Sequence, residues 1–338
     1  MRFFPPEAIN PEQSPAPEET PHPVEAPEPV PPESEIPTHA DYVFELFGEG
    51  LRIKQYKGGN VTVVVPDAVE GKTILSIGPK AFLGKPIRSI KLPKTITDLG
   101  DEAFAQCEML TSVGLGNALT KISKKAFMDC PKLRSIVLPK SLLEIGESAF
   151  AKSGIESIGL PPNVKKIAWS AFLGATSLKQ ITVDPLNKVY CSLDDILFTK
   201  DMSKLLCYPS AHPGSSYQTP APTKTIGEYA FASAMRLNSI TLSQGVTSIG
   251  TGAFDNAHCL TEVHLSTTLE SIGANAFKHC SALSTILIPL SVTTIGNNAF
   301  DYDSKLKIRC KAKSKPSGWS DKWNVGVLTA PKWGSWGS

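Results

Sequence analysis

At 338 residues, with 41% hydrophobic and 20% charged residues, the chain is long enough to bury an extended core. No apolar run approaches the ~18 residues of a membrane span, and seven cysteines, an odd number, exclude complete pairing within the chain. The formal charge of +2 is divided unevenly: residues 1–40 hold eight Glu against Arg2 alone, which leaves the remainder basic by about +9.

The start, Met1-Arg2-Phe3-Phe4-Pro5-Pro6-Glu7, breaks at two prolines before any apolar stretch forms. No signal peptide is read there, so the protein is either intracellular or exported by a segment absent from this sequence. Residues 1–40 contain twelve of the 28 prolines, interleaved with Glu, Ala and Ser. So little apolar surface does not offset chain entropy, and the segment reads as a disordered, partly polyproline II spacer that is open to a polyproline-binding partner.

From Asp41 the composition changes. Tyr42–Phe47 and Leu51–Tyr56 alternate around Gly48-Glu49-Gly50, the pattern of a hairpin, and residues 41–75 are expected to cover an open core face as an amino-terminal cap. Beyond them the dipeptide Ala-Phe recurs at Phe82, Phe104, Phe127, Phe150, Phe172, Phe231, Phe254, Phe277 and Phe300, with a period of 22 or 23 residues broken only between Phe172 and Phe231. A period in the low twenties marks a solenoid whose coils bury their apolar sides only by stacking. Within a unit, Leu133, Ile136 and Leu138 keep fixed places after Phe127, and Arg134–Pro139 alternates like a short strand stopped by proline. An Ile-Gly pair lies five residues before the Phe, as in Ile145-Gly146, where Gly suits positive φ or close backbone approach; Ser123 and Ala168 replace it in two units. Cys107, Cys130 and Cys280 sit three residues after the Phe, where other units place Ser153, Ala175, Ala234 and Ala257. That exchange indicates a small buried slot. Stacked side chains there run parallel rather than converging, so free thiols acting as small hydrophobes are expected.

The unit, roughly Leu-Pro-x-x-Val-x-x-Ile-Gly-x-x-Ala-Phe-x-x-Cys-x-x-Leu-x-x-Ile, resembles the BspA-like leucine-rich repeat family over about residues 50–325. The resemblance implies a right-handed repeat solenoid of about ten coils over residues 41–338, roughly 50 Å long at about 5 Å per coil. Short strands and one-turn helices near each Ala-Phe would build it.

The long interval is read as an irregular hairpin insertion, residues 184–223. It is similar to a family element in which an Asp-Gly turn precedes an apolar strand. Here Asp195 stands in place of Gly, which argues against a tight two-residue turn. A hairpin of Ile196–Thr199 against Leu205–Tyr208 is expected, and Ser210–Thr223 reads as a loop. Residues 304–338 form the expected carboxy-terminal cap. Lys305–Lys315 alternates strictly, placing Lys305, Lys307, Arg309, Lys311, Lys313 and Lys315 on one face of a strand, either as protection of the last edge or as an attraction for an anionic polymer. Pro316-Ser317-Gly318-Trp319 with Trp323, Trp333 and Trp336 resembles the family's carboxy-terminal end and is expected to fold over the last coil.

Catalytic constellations are not found: no Gly-x-Ser-x-Gly elbow, phosphate loop, His-Glu-x-x-His or Cys-x-x-Cys occurs. His258-Cys259 and His279-Cys280 form the one metal-like cluster, and the Cys register argues against convergence. The expectation is a non-enzyme without cofactor, metal or small-molecule substrate. Base-reading features are missing too, so no nucleic-acid partner is expected. What remains is the outward strand ladder of Ser89, Ser112, Ser135, Ser157, Gln180, Ser239, Glu262 and Thr285, mostly small and weakly polar. Such a face suits an extended protein or surface ligand. The family resemblance implies an adhesin-like module of the cell surface, monomeric, with the basic strand as the alternative face; an intracellular scaffold is the other reading.

Overall fold

The computed structural model describes residues 39–334, which belong to one compact unit, Ile36–Ser338. The predicted spacer up to Thr38, and Trp336, lie outside the described residues.

The unit is a β-solenoid of about 12 turns with no helix among the described residues. Each full coil contributes two short strand positions, and like positions pair in parallel with the next coil. One column is the ladder, for example Ser89–Lys91 on Ser112–Gly114; the other runs through the Ile-Gly positions, for example Asp98–Leu99 on Lys121–Ile122. The predicted one-turn helices are replaced by left-handed corners, and the reason is visible in the hydrogen bonds. Glu102 and Gln106, two residues either side of Phe104, have φ of 58° and 59°. With them, the N–H groups of Glu102, Phe104 and Gln106 all donate outward to the carbonyls of Lys124, Ala126 and Met128 in the next coil, each at 2.8 Å. A helix would turn those donors back along its own chain.

The Gly of the Ile-Gly pair serves close approach rather than positive φ. A Cβ on Gly100 would meet Pro79 N at 2.6 Å and Gly78 C at 2.7 Å, both atoms of the preceding coil's backbone.

Inside, the marker rings form two aromatic columns. Phe82, Phe104, Phe127, Phe150 and Phe172 stack at 5.0 to 5.9 Å between centroids, and Phe231, Phe254, Phe277 and Phe300 at 4.9 to 5.4 Å. Each column opens on a tyrosine that the Ala-Phe pattern does not reveal. Tyr56 stacks on Phe82 at 4.9 Å while its N–H donates to Ala81 O, and Tyr208 does the same with Phe231 and Ala230. These tyrosine coils, and the end closed by Trp323, account for the turns beyond the expected ten.

Between the columns lies a three-stranded antiparallel meander, Tyr190–Leu193, Ile196–Thr199 and Lys204–Cys207. Tyr190 and Leu197 join the first core, whereas Ile196, Phe198 and Leu205 join the second, so the meander is a septum with an apolar face for each half. The tight turn disfavoured by sequence does form: Asp194 and Asp195 take φ of 50° and 64° between Leu193 and Ile196, as a type I′ turn requires. Aspartate tolerates that conformation, and two distant bonds hold it. Asp195 O accepts from Ile181 N–H at 2.9 Å, and Asp194 O accepts from His212 Nε2 at 3.0 Å. Its other nitrogen, Nδ1, accepts from Gly214 N–H at 3.1 Å and lies 3.0 Å from the Tyr208 hydroxyl.

Two further sequence readings are corrected. Ser210–Thr223 is not all loop, since Ser216–Gln218 pairs in parallel with Ser239–Thr241; Tyr217 takes the inward place that Ile or Val holds elsewhere, which hid the coil. The basic strand is only Lys307–Cys310, and it is not outermost, because Lys332–Trp333 pairs along it. As expected, Trp319 and Trp323 close the last coil: Trp319 Nε1 donates to Val292 O at 3.1 Å, and Trp323 O accepts from Phe300 N–H.

The slot three residues after the Phe explains its Cys, Ser and Ala. Cys107, Cys130 and Cys280 are buried and each donates its thiol to the Phe carbonyl one coil back, at 3.1 to 3.2 Å. Asp303 occupies the same slot in the last coil. It is 2% exposed, and neither carboxylate oxygen has a hydrogen-bond partner. Burial, with the nearby Asp301 charge, pushes its pKa up to about 8 against a smaller opposing pull from the Cys280 backbone.

Phe150 packs at 5.6 Å from Phe127 and 5.9 Å from Phe172 and is fully buried. Phe150→Ala is expected to cost about 3 to 5 kcal/mol in denaturant unfolding, and a loss under about 1 kcal/mol would show that the ring column carries little of the stability. For Asp303 the sign follows from the raised pKa. Between the ordinary carboxylate range and about pH 8 the unfolded chain has released a proton that the folded chain retains, so stability falls as pH rises through that window. Asp303→Ala, the residue of other coils, is expected to be the more stable protein at pH 7 and to lose that advantage near pH 4; an advantage independent of pH would refute the assignment.

Candidate functional site

Each ladder strand alternates one inward apolar residue with outward positions, as Ile90, Val113, Ile158 and Ile181 do between their exposed neighbours. The eight predicted ladder residues all lie on the solvent side: Ser112, Ser135, Gln180, Glu262 and Thr285 are exposed, and Ser89, Ser157 and Ser239 are half-buried. Register brings Ser89 beside Ser112, Ser157 beside Gln180, and Ser239 beside Glu262. Thr62 and Ser216 extend the same row, the first through pairing with Ser89 and the second with Ser239. Sequence reasoning missed Ser216 because its coil lies inside a segment rich in Pro, Gly and Ser.

The ladder is not one sheet. It falls into four strips, led by Thr62–Val64, Ser157–Leu160, Ser216–Gln218 and Thr285–Ile288. The predicted strand Arg134–Pro139 belongs to none of them. Its inward residues Ile136 and Leu138 are buried, but its backbone is held to the next coil only by the Glu156 N–H on Arg134 O, at 2.9 Å. Beside that gap, Val137 is 86% exposed between Gly114 and Gly159 of the neighbouring coils. A bare valine flanked by glycines leaves the surface low and smooth there.

Charge on this face is local. Glu156 meets Lys179 at 2.7 Å and Arg134 at 3.4 Å, and the Lys179 hydrogen bond holds its carboxyl below the usual range. His264 Nε2 lies 2.8 Å from Glu262. All six cations of the Lys305–Lys315 segment are exposed, as predicted. Lys307 pairs in register with Thr285 and Arg309 with Leu287, so the predicted ladder and the predicted basic face are one continuous surface. Lys315 is engaged by Asp321.

The metal-like cluster does not assemble. Cys280 is buried in its slot and Cys259 is exposed, while His279 stacks on Tyr302 at 4.6 Å. Among the described residues, no group of three or more His, Cys, Asp or Glu is placed to hold a metal ion. No helix among them is long and apolar enough to cross a membrane.

Residues 75–201 and 214–313 match the BspA type leucine rich repeat region, in six copies. Among solved structures, the pneumococcal vaccine antigen PcpA is similar at 26% identity, with a TM-score of 0.72 over 89% of this chain and 88% of that one. A leucine-rich repeat protein from Eubacterium ventriosum is 22% identical, with a TM-score of 0.66 over 89% and 96% of the two chains. A leucine rich cell surface protein from Faecalibacterium prausnitzii is 22% identical, with a TM-score of 0.59 over 88% and 94%. Among curated proteins, none is similar enough in sequence to match.

Proposed function

The chain belongs to the BspA-type leucine-rich repeat family, and from that premise we propose that it is a non-enzymatic interaction module of the cell surface, adhesin-like, that binds an extended protein partner along its strand ladder. The observation that carries the reading is the ladder itself: an outward row of small, weakly polar side chains spread over many coils, with no large anchor at any one position. Affinity on such a face must come from area, because hot spots are built from large side chains in desolvated pockets. The cell-surface setting draws support from the similarity to a leucine rich cell surface protein and to a pneumococcal vaccine antigen.

The ladder runs into the basic strip at Thr285 and Leu287, which makes an anionic partner the second reading. Ionic strength separates the two. Binding through the ladder is expected to be nearly indifferent to salt, whereas binding through Lys307, Arg309 and their neighbours falls steeply between low and physiological salt. On intact cells, a photocrosslinker at Ser135 is expected to capture the partner while one at Ser271, on the other strand column, does not. Ser112→Trp and Ser135→Trp are expected to block binding by holding the partner away, and charge reversal at Gln180 or Glu262 to weaken it modestly. Full binding by both tryptophan variants would remove the ladder as the site.

A further inference from the structure

The Ile-Gly column, away from the ladder, changes character at the septum. In the first half its outward strand residues alternate in charge, Asp98, Lys121, Glu144 and Lys166; in the second half they are the hydroxyls Thr225, Ser248, Ser271 and Thr294. At the boundary, where Ile167 and Phe172 face Leu206 and Cys207, lies a cleft of about 690 Å³. That size is typical of small-ligand sites.

Trp169 stands in this cleft with 52% of its surface exposed. Its ring stacks on Tyr229 of the second half at 4.7 Å and 18° between planes. A tryptophan backed by a second ring is a firm platform, and leaving it in water lacks the hydrophobic gain that placed every marker Phe inside.

The walls narrow the ligand class. Lys166 pairs with Glu144 at 2.9 Å and Lys124 with Glu147 at 3.1 Å, and Lys121, Lys204, Asp101 and Glu228 add two charges of each sign to the lining. An anion or a cation would meet its own sign at every second position. A peptide strand would need an open sheet edge, but Tyr190 takes that place at the last strand of the first half. Its hydroxyl accepts from Ile167 N–H at 3.1 Å and donates to Lys165 O at 3.4 Å. A wholly apolar ligand would strand the charged walls. What fits is a neutral ligand with an apolar face and many hydroxyls, each able to donate to a carboxylate and accept from an ammonium group.

We propose that this cleft binds a segment of a neutral oligosaccharide, with one sugar ring lying on Trp169 and its hydroxyls bonded to the lysine and glutamate pairs. The site is separate from the ladder and does not depend on the identity of the protein partner.

The test is calorimetric titration of the full chain with cellohexaose, maltohexaose and chitohexaose, and with hexagalacturonate as the anionic counterpart. The expected result is saturable, salt-insensitive binding of at least one neutral hexasaccharide. That affinity should fall about tenfold or more in Trp169→Ala and in Glu147→Gln. Trp169→Phe, which keeps a ring at the site, should retain part of it, and Ser135→Trp on the ladder should leave it unchanged. The proposal is overturned if no neutral hexasaccharide binds at millimolar concentration, if binding survives Trp169→Ala, or if hexagalacturonate is preferred with a steep loss in salt.

Discussion

The structure depends on one arrangement of backbone donors: at the corners of Phe82, Phe104, Phe127, Phe231, Phe254 and Phe277, the N–H groups of the marker residue and of the residues two before and two after it point to carbonyls of the next coil. A coil built this way satisfies its neighbour rather than itself, which is why stacking is obligatory and why each end of a stack is a liability. A buried donor left without a partner costs about 1 to 3 kcal/mol, and three lie side by side at such a corner. The protein answers at the start of each column and at the end of the second. Tyr56 enters the first column from a hairpin, Tyr208 enters the second from the septum, and the loop carrying Lys322 and Trp323 supplies the carbonyls that Asn298 and Phe300 need at the end.

The same arrangement explains why the corners tolerate varied side chains in a conformation that usually favours glycine. Lys80, Glu102, Lys125, Ser148, Tyr229, Asn275 and Asn298 occupy equivalent left-handed positions. Left-handed backbone costs an L-residue about 1 to 2 kcal/mol. The inter-coil hydrogen bonds and the buried Ala-Phe pair beside each such residue offset that cost. The side chain itself points out of the stack and is free to vary, so the position carries no residue signature while the Phe beside it does.

That division sets what was legible in the sequence. The period, the inward Leu and Ile positions and the cysteine slot were legible because each is a buried place with one chemical requirement. The entry coils were not counted because tyrosine replaces phenylalanine there, and the coil through Tyr217 hid in a segment whose Pro, Gly and Ser usually mean loop. The one-turn helices were part of what the family resemblance implied; only the outward direction of the N–H groups distinguishes a left-handed corner from a helical turn, and side-chain pattern does not record it. The Asp194-Asp195 turn was judged on local cost, whereas two contacts from Ile181 and His212 decide it. Ladder residues could be placed by alternation alone. The cleft could not, because Trp169 and Tyr229 are 60 positions apart in the sequence and meet only because the septum ends one stack and begins another.

Repetition and interruption therefore divide the molecule's roles. Where coils repeat, geometry leaves only shallow outward rows, and recognition there must be extended and sequence-tolerant. Where the repeat is interrupted, the two stacks meet without the parallel register that joins neighbouring coils along the Ile-Gly column. Phe172 is 7% exposed while the other marker rings are sealed, and a cleft opens beside it. An interruption is the one place in a solenoid where a concave site is available without weakening a coil, since the septum already closes both cores. The alternating charges of the first half end at that point, and across the gap they meet Leu206 and Cys207 together with Lys204 and Glu228. A repeat that otherwise offers only area acquires there a pocket with convergent polar groups and an aromatic platform, which is the physical distinction between a surface for a large partner and a site for a small one.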